Sequence, residues 1–279
     1  MMSTILIPID FSNTSVNAVR YAIGLTQQFG IHKIVLYHAW EYISVNSDPL
    51  ISTGEAITIE VLQETMQENM NNFVNEVKNW STAIDIQPVN EYANFTDGIK
   101  NTCANDNIQL IIMGITGGNG QTYSALDDEI ANITRHINLP VILVPSQANF
   151  SGIQNIVLAC DFKHIGDSFP INTIASILQK LNPKLFVLNV SAGTEHNAQT
   201  DIHSGTDFIR NHLQAFSPEF HFIDSPDIAR GIHQFSAEKD AQLIITAPKK
   251  HGWFESLFRK SHTQQLAHHS NIPLLLVHE

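Results

Sequence analysis

The sequence predicts an α/β protein made of two tandem doubly wound sheets, each with five parallel strands. The first observation behind this prediction is an internal repeat. Residues 5–11, Ile-Leu-Ile-Pro-Ile-Asp-Phe, return as residues 156–162, Ile-Val-Leu-Ala-Cys-Asp-Phe, at an offset of 151. Residues 138–144 return as 271–277 at an offset of 133, so the second copy is shorter by the difference, 18 residues. The second observation is that short β-branched runs alternate with helical periodicity, as in βαβ units.

The elements of the first copy follow from local patterns. Its five strands are predicted near residues 4–9, 33–39, 84–90, 108–113 and 141–144. The first helix has Ser12 or Asn13 as its cap and Gly30 as its end. The second helix places five apolar side chains at three- and four-residue spacing: Leu62, Met66, Met70, Phe73 and Val77. Two further helices are predicted near 96–105 and 127–136.

The second copy repeats this order with shorter connections. Apolar residues at helical spacing predict three helices in three ranges: Ile171 to Leu181, Phe208 to Phe216, and Ile228 to Phe235. The shortening is predicted to fall after the second strand, where the first copy has the polar loop 41–55 and a long helix. We therefore predict domains at 1–147 and 152–279 with the turn-rich stretch 146–152 between the copies. Their last strands or helices are expected to meet in a pseudo-twofold arrangement.

Composition and charge exclude several classes of function. The chain has 279 residues, 43% of them hydrophobic, which is enough to bury a core. Its net charge of −12 argues against binding to nucleic acid or to an anionic membrane surface. No run reaches the roughly 18 apolar residues of a membrane span, and residues 5–9 follow the start without a basic leader. We expect a cytoplasmic protein.

Sequence motifs for catalysis or metal binding are missing. Cys103 and Cys160 lack the spacing of a redox or zinc motif and are expected to be small buried hydrophobes. The fourteen histidines show no H-E-x-x-H or H-x-x-x-H spacing, so no metal site is predicted. Neither a G-x-S-x-G elbow nor a Walker loop is present. Enzymatic activity is therefore unsupported by the sequence.

A ligand site is predicted at the carboxyl ends of the strands, where ligands bind in doubly wound sheets. The first strand is followed by Asp10 and Ser12, and the fourth runs into the glycine-rich stretch 114–120. Such a stretch is either an anion-binding nest of backbone N–H groups or a flexible turn. Asp10 has two readings as well, because a carboxylate there can cap the next helix or contact a ligand. Its return as Asp161 fits either role.

Three motifs together resemble the universal stress protein family. They are Pro8-x-Asp10-x-Ser12, Gly114-x-x-Gly117, and the closing strand 139–145, Leu-Pro-Val-Ile-Leu-Val-Pro. The resemblance covers both copies and implies a Rossmann-like fold of the adenine nucleotide alpha hydrolase type. It also implies a stress-response protein that binds ATP or another adenine nucleotide, with Mg²⁺. In that family the aspartate contacts the adenine end.

The resemblance further assigns the ribose and the phosphates to the glycine loop, including Gly118, and to a Gly-Ser or Gly-Thr pair nine residues after it. In this chain that pair is replaced by Asp127 and Asp128. Two carboxylates would repel phosphate where the family has a hydroxyl and a backbone donor. They can instead cap the last helix of the copy, mimic a phosphate or bind Mg²⁺.

The second copy departs from the family motif in a different way. Ala247 and Lys250 stand at the positions of the two motif glycines, and Pro248 lacks an N–H to donate. Ser261 restores the family's hydroxyl at the start of the last helix, beside Lys249 and other cations. This group is either an anion site or a solvated basic face. We expect adenosine-like ligands to prefer the first copy and bare anions the second.

These observations predict a binding and signalling protein with a degraded adenine-nucleotide site. Two further alternatives stay open: a nucleotide-free interaction scaffold in which both sites have decayed, and an adenylate-handling enzyme of related fold. Protein partners or self-association, such as a dimer, are expected both for the binding and signalling protein and for the interaction scaffold.

Overall fold

One continuous sheet of ten strands forms the centre of the computed structural model. The model describes residues 3–41, 59–115, 132–133, 136–162, 165, 169–192, 199–247 and 271–278. The strands are β1 (Thr4–Pro8), β2 (Lys33–Trp40), β3 (Asp85–Tyr92), β4 (Leu110–Ile115), β5 (Val141–Pro145), β6 (Asn155–Ala159), β7 (Lys184–Ser191), β8 (Glu219–Asp224), β9 (Leu243–Thr246) and β10 (Leu274–Leu276). Their order across the sheet is β3-β2-β1-β4-β5-β10-β9-β6-β7-β8.

The predicted α/β class with a doubly wound strand order is confirmed. Each half of the sheet has the same order, and every pairing within a half is parallel. The expectation of two separate sheets is wrong, because β5 and β10 pair antiparallel, with Leu275 opposite Ile142. Both strands are fully buried apolar runs. Their pairing removes two apolar sheet edges and satisfies backbone groups that would otherwise lack partners. The last strands do meet, as the sequence predicted.

Six helices cover the sheet within the described ranges. They are α1 (Asn13–Phe29), α2 (Ile59–Trp80), α3 (Phe95–Asn105), α4 (Ile171–Leu181), α5 (Gln199–Leu213) and α6 (Ile228–Glu238), and a 3-10 turn (Gln214–Phe216) follows α5. One core, between the sheet and α1, α2, α4 and α5, runs through both halves from Ile5 to Val277. A second core lies on the opposite face, under α3 and α6. No described helix is long and apolar enough to cross a membrane.

The helix boundaries agree with the local signals in the sequence. Ser12 caps α1, and Gly30 ends it in the left-handed conformation, with φ at +67°. The predicted stripe on α2 is confirmed, since Met70, Phe73 and Val77 are buried. The second half is shorter after its second strand, as predicted, because α5 has 15 residues where α2 has 22. Most of the helix predicted near 127–136 lies outside the described residues.

The segment between the halves is tied to α1 by side-chain hydrogen bonds. The Asn17 amide donates to the carbonyls of Pro145 and Ala148, at 3.1 and 3.0 Å. The Gln28 side chain accepts from the backbone N–H of Ile153 at 2.9 Å and donates to its carbonyl at 3.3 Å. This turn-rich stretch is therefore an ordered connection.

A direct contact also joins the helices of the two halves. The Lys180 ammonium of α4 donates to the carbonyl of Phe29 at the end of α1, over 2.9 Å. A cation is favourable there because unpaired carbonyls give a helix C-terminus a partial negative charge.

Candidate functional site

The crevice of the N-terminal half lies between the carboxyl ends of β1 and β4. The chain adds β2 and β3 on one side of β1 and then β4 and β5 on the other, so the strand order reverses between β1 and β4. Ligands bind at such switch points in open α/β sheets. Four residues singled out from the sequence are found here: Pro8, Asp10, Ser12 and Gly114.

Asp10 and Ser12 form a compact hydrogen-bonded turn that starts α1. The Asp10 Oδ1 atom accepts from the Ser12 hydroxyl at 2.5 Å and from the Ser12 backbone N–H at 3.0 Å. The Ser12 hydroxyl oxygen in turn accepts from the backbone N–H of Ser15, at 3.3 Å. Both carboxylate contacts are made with Ser12, so Asp10 orients the residue that caps α1, and the Ser12 hydroxyl itself accepts from the helix N–H group. The residue as a whole is nevertheless exposed, although its carboxyl group is partly buried.

The backbone of this turn has an unusual conformation. Phe11 has a φ of +61°, in the left-handed region where a non-glycine residue is uncommon. Its ring is held by edge contacts with His38 at 4.7 Å and with Phe73 at 6.0 Å between centroids. The packing fixes a strained turn at the mouth of the crevice, a pattern associated with functional sites.

The turn keeps Asp10 ionised. Burial of the carboxyl raises its pKa, but hydrogen bonds from the hydroxyls of Ser12 and Ser15 and from the Ser12 N–H act in the opposite direction and prevail. The pKa of Asp10 therefore lies below its ordinary value, and the group is a carboxylate near neutral pH. An ionised carboxylate accepts hydrogen bonds from ligand hydroxyls and repels phosphate.

Replacing Asp10 by asparagine should test this charge. Because the folded pKa is lower than the unfolded value near 3.9, the carboxylate stabilises the fold above about pH 4, and the contribution is lost as the pH falls through the folded pKa. We expect Asp10→Asn to lower the free energy of unfolding at pH 7 by less than about 1 kcal/mol, since the group is exposed. Urea denaturation from pH 7 to 3 should show the difference shrinking in acid, and a difference that persists at pH 3 would contradict this account.

Gly114 brings β4 close to the start of α1. A Cβ atom at this position would lie 2.5 Å from the Thr14 carbonyl oxygen and 2.8 Å from its carbonyl carbon. Real side chains do not approach backbone atoms so closely, so only glycine fits without a shift. The glycine therefore has a packing reason in addition to any role in ligand binding.

Three polar residues near this site were missed by sequence reasoning. His38, Trp40 and Asn90 lie at the carboxyl ends of β2 and β3. The His38 Nδ1 atom lies 2.9 Å from the carbonyl oxygen of Ile9, next to Asp10. Burial lowers the pKa of His38, although the Ile9 contact and the charge of Asp10 act against it. The sequence did contain a signal for them. Side chains with polar atoms at alternating positions near the end of a strand lie on one face of the sheet and can form part of a site there.

The corresponding turn of the C-terminal half has a different structure. Four residues separate β1 from α1, whereas eleven separate β6 from α4. Pro170 precedes α4 and makes no side-chain capping bond. Asp161 is half-buried after β6, and Phe162 beside it is buried. The centroid of the Phe162 ring lies 6.3 Å from that of Phe220 and 5.6 Å from that of Phe222. The connection that contains Asp161 is therefore longer than the one that contains Asp10.

The remaining predicted site residues lie outside the described part of the chain. They are Gly117, Gly118, Asp127, Asp128, Lys249, Lys250 and Ser261. Within the described ranges, no group of three or more histidine, cysteine, aspartate or glutamate side chains could hold a metal ion. Cys160 is buried, and burial raises the pKa of the half-buried Cys103 thiol to about 12, which suppresses its reactivity.

Comparisons with known proteins agree with this architecture. The universal stress protein family model matches residues 1–145 and 211–278. Universal stress protein MJ0531 of Methanocaldococcus jannaschii is 24% identical over 149 residues, which cover 50% of this chain and 80% of that protein. The chain also resembles the crystal structure of a universal stress protein from Archaeoglobus fulgidus, with a TM-score of 0.74, 16% identity, and 100% and 99% of the two chains covered.

A second structural neighbour is a functionally unknown protein, PA1789, from Pseudomonas aeruginosa. Its TM-score is 0.58 at 12% identity, with 99% of this chain and 92% of that chain covered. At these identities the two structures support the fold alone.

Proposed function

Because the chain belongs to the universal stress protein family, we propose that it is a stress-response binding and signalling protein whose N-terminal half takes an adenine nucleotide. One observation carries this proposal. The turn of Asp10 and Ser12 and the close approach of Gly114 in β4 to α1 come from distant parts of the sequence, and they meet at the point where strand order reverses.

The charges at the crevice favour one orientation of the nucleotide. The Asp10 carboxylate accepts hydrogen bonds, which suits ribose hydroxyls and disfavours phosphate. The nucleoside end therefore belongs beside Asp10. The phosphates belong beyond Gly114, where the sequence continues through Gly117 and Gly118. In this proposal Asp128 and its neighbour Asp127 weaken triphosphate binding unless Mg²⁺ lies between them and the phosphates.

The C-terminal half differs, and we assign it a different ligand preference. Eleven residues separate β6 from α4, and Ala247 follows β9 at the position that matches Gly114 in β4. The sequence supplies Lys249, Lys250 and Ser261 for a bare anion. We propose that adenosine-like ligands bind the N-terminal half and that simple anions prefer the C-terminal half.

The same proposal includes a domain organisation and a setting. The domains are 1–147 and 152–279, and the protein acts in the cytoplasm through protein partners or self-association. The alternative is an interaction scaffold that binds no nucleotide. Pro248, which lacks an N–H to donate beside the predicted site, favours that alternative for the C-terminal half.

Calorimetric titration of the full chain with adenosine, ATP and Mg-ATP tests the proposed function. We expect adenosine to bind with a stoichiometry of one. Asp10→Asn should weaken it about tenfold, because a charge-assisted hydrogen bond to a ribose hydroxyl is lost. The matched change Asp161→Asn in the second half should leave adenosine binding unaltered. If no adenine compound binds at millimolar concentration, the nucleotide proposal is wrong, and the interaction scaffold becomes the favoured function.

A further inference from the structure

Three buried polar atoms without partners lie close together at the carboxyl ends of β2 and β3. They are the Nε2 atom of His38, the Nε1 atom of Trp40 and the Oδ1 atom of Asn90, and each lacks a hydrogen-bond partner in this structure, judged over its described residues. Buried polar groups in folded proteins are nearly always paired, so three such atoms in one place call for a physical reason. A ligand that supplies the missing partners is one.

The sheet register places these residues side by side. His38 is opposite Asn90, and Trp40 is opposite Tyr92. Side chains alternate between the two faces along a strand, so His38 and Trp40 lie on the same face as Leu36, which belongs to the core under α1 and α2. Their partners across the register lie on that face as well, and it is the face that carries the Asp10 turn. The His38 ring is 4.7 Å from that of Phe11, so the group adjoins the candidate nucleoside site.

The chemistry of the three atoms can be assigned from their contacts. The Ile9 carbonyl can only accept, so the Nδ1 atom of His38 carries the proton and donates to it at 2.9 Å. In neutral imidazole the Nε2 atom of His38 is then an acceptor. The Asn90 Oδ1 atom is a second acceptor, since its amide nitrogen donates to Gln67 at 3.4 Å. The Trp40 indole N–H is a donor. The group therefore requires two donors and one acceptor from its partner.

An aromatic surface borders these atoms. The rings of Trp40 and Tyr92 lie 5.1 Å apart at 59°. Tyr92 is 59% exposed, so this aromatic pair borders the solvent. Planar heteroaromatic ligands stack on such side chains.

The C-terminal half provides an internal comparison. Asn189 occupies the position of His38, and its amide donates to the Cys160 carbonyl at 3.0 Å, as His38 does to Ile9. Phe222 stands opposite Asn189, where the first half has Asn90. Ser191 and Asp224, in place of Trp40 and Tyr92, are hydrogen-bonded to each other. The second half keeps the structural hydrogen bond and lacks the three unpartnered atoms, so they are not a requirement of the fold.

We propose that this group recognises the amino edge of the adenine base. The exocyclic amino group donates its two hydrogens to His38 Nε2 and Asn90 Oδ1, which belong to neighbouring strands, and a ring nitrogen accepts from the Trp40 N–H. This inference rests on the proposed function, and it assigns the base specificity to three side chains. A 6-oxo purine places a carbonyl oxygen against two acceptors, and the site rejects it.

Parallel titrations of the full chain with adenosine and inosine test the assignment. Wild-type protein should bind adenosine at least tenfold more tightly than inosine. Three single substitutions each remove one contact. His38→Asn keeps the bond to Ile9, as Asn189 shows for the second half, and removes the Nε2 acceptor. Asn90→Leu and Trp40→Phe remove the second acceptor and the donor. Each should weaken adenosine binding about tenfold and change inosine binding less than threefold.

The control is Asn75→Leu, the same chemical change on the exposed face of α2, which should leave both affinities unchanged. Thermal unfolding of every variant identifies loss of the fold. The assignment of the base site is wrong if the wild-type protein binds the two nucleosides with equal affinity, or if each variant loses affinity for both to the same extent. Either result would leave the proposed nucleotide site itself intact. If neither nucleoside binds, the proposed function fails and this inference fails with it.

Discussion

Replacing Gly114 by alanine is expected to lower the free energy of unfolding by about 2–3 kcal/mol and to weaken adenosine binding at least tenfold. The added methyl group would lie 2.5 Å from the Thr14 carbonyl oxygen. Backbone atoms cannot rotate away as a side chain can, so either β4 or the first turn of α1 must move. That turn carries Ser12, and a shift there displaces Asp10 from the crevice. Urea denaturation and calorimetric titration measure the two effects.

Ala247 offers the reciprocal control, because it follows β9 at the position that matches Gly114 in β4. Ala247→Gly should change stability by less than about 1 kcal/mol, since it removes only a half-buried methyl group. If Gly114→Ala is as mild as Ala247→Gly, the close packing of β4 on α1 does not hold the site together. If stability falls while adenosine affinity is kept, the glycine serves the fold and the crevice lies elsewhere.

Sequence reasoning succeeded where the determining contacts are local. Ser12 caps α1 through Ser15, three residues away, and Gly30 ends the same helix four residues after the carbonyl that it contacts, that of Thr26. Such signals lie within one turn of the helix. The strand runs were also found because their buried residues are contiguous in the sequence.

The continuous sheet could not be predicted because it depends on one distant pairing. Leu275 lies opposite Ile142, and their two short apolar strands each read equally well as the last strand of a separate sheet. The sequence predicted that the last strands or helices meet, but nothing in either run specifies that these two strands hydrogen-bond to each other. Burial of both edges decides the outcome, and that is a property of the folded chain.

The same limitation explains what was missed at the site. Asp10, Ser12 and Gly114 form part of a linear motif and could be found in the sequence. His38 and Asn90 are 52 positions apart in the sequence, and only the register of β2 with β3 makes them neighbours. Their polar side chains at strand ends resemble the start of a loop when each strand is read alone.

The repeated aspartate illustrates a different failure of sequence reasoning. Asp10 and Asp161 occupy matching places after β1 and β6, and the residues around them match as well. Yet four residues separate β1 from α1, whereas eleven residues separate β6 from α4. The start of α4 is therefore farther along the chain from Asp161 than the start of α1 is from Asp10. A difference in the length of the connection thus distinguishes two sites that share their motif.

Replacing Asp127 and Asp128 by glycine and serine should tighten ATP binding by the N-terminal half about ten- to a hundredfold. A carboxylate about 4 Å from a phosphate charge costs on the order of 4 kcal/mol at an effective dielectric constant near 20, or roughly a thousandfold in affinity. Solvent screening and the dipole of a following helix reduce that cost. Calorimetric titration of both proteins with ATP in the absence of metal measures the effect.

Adenosine is the control ligand for this double substitution, because it carries no phosphate and its affinity should stay nearly constant. The substitution pair thus separates phosphate repulsion from base and ribose recognition. If the carboxylates instead hold a Mg²⁺ ion that bridges to the phosphates, the same change will weaken Mg-ATP binding, and the repulsion account will be wrong. Equal ATP affinity in both proteins would mean that the two aspartates serve the helix terminus alone, with the phosphates bound beyond their reach.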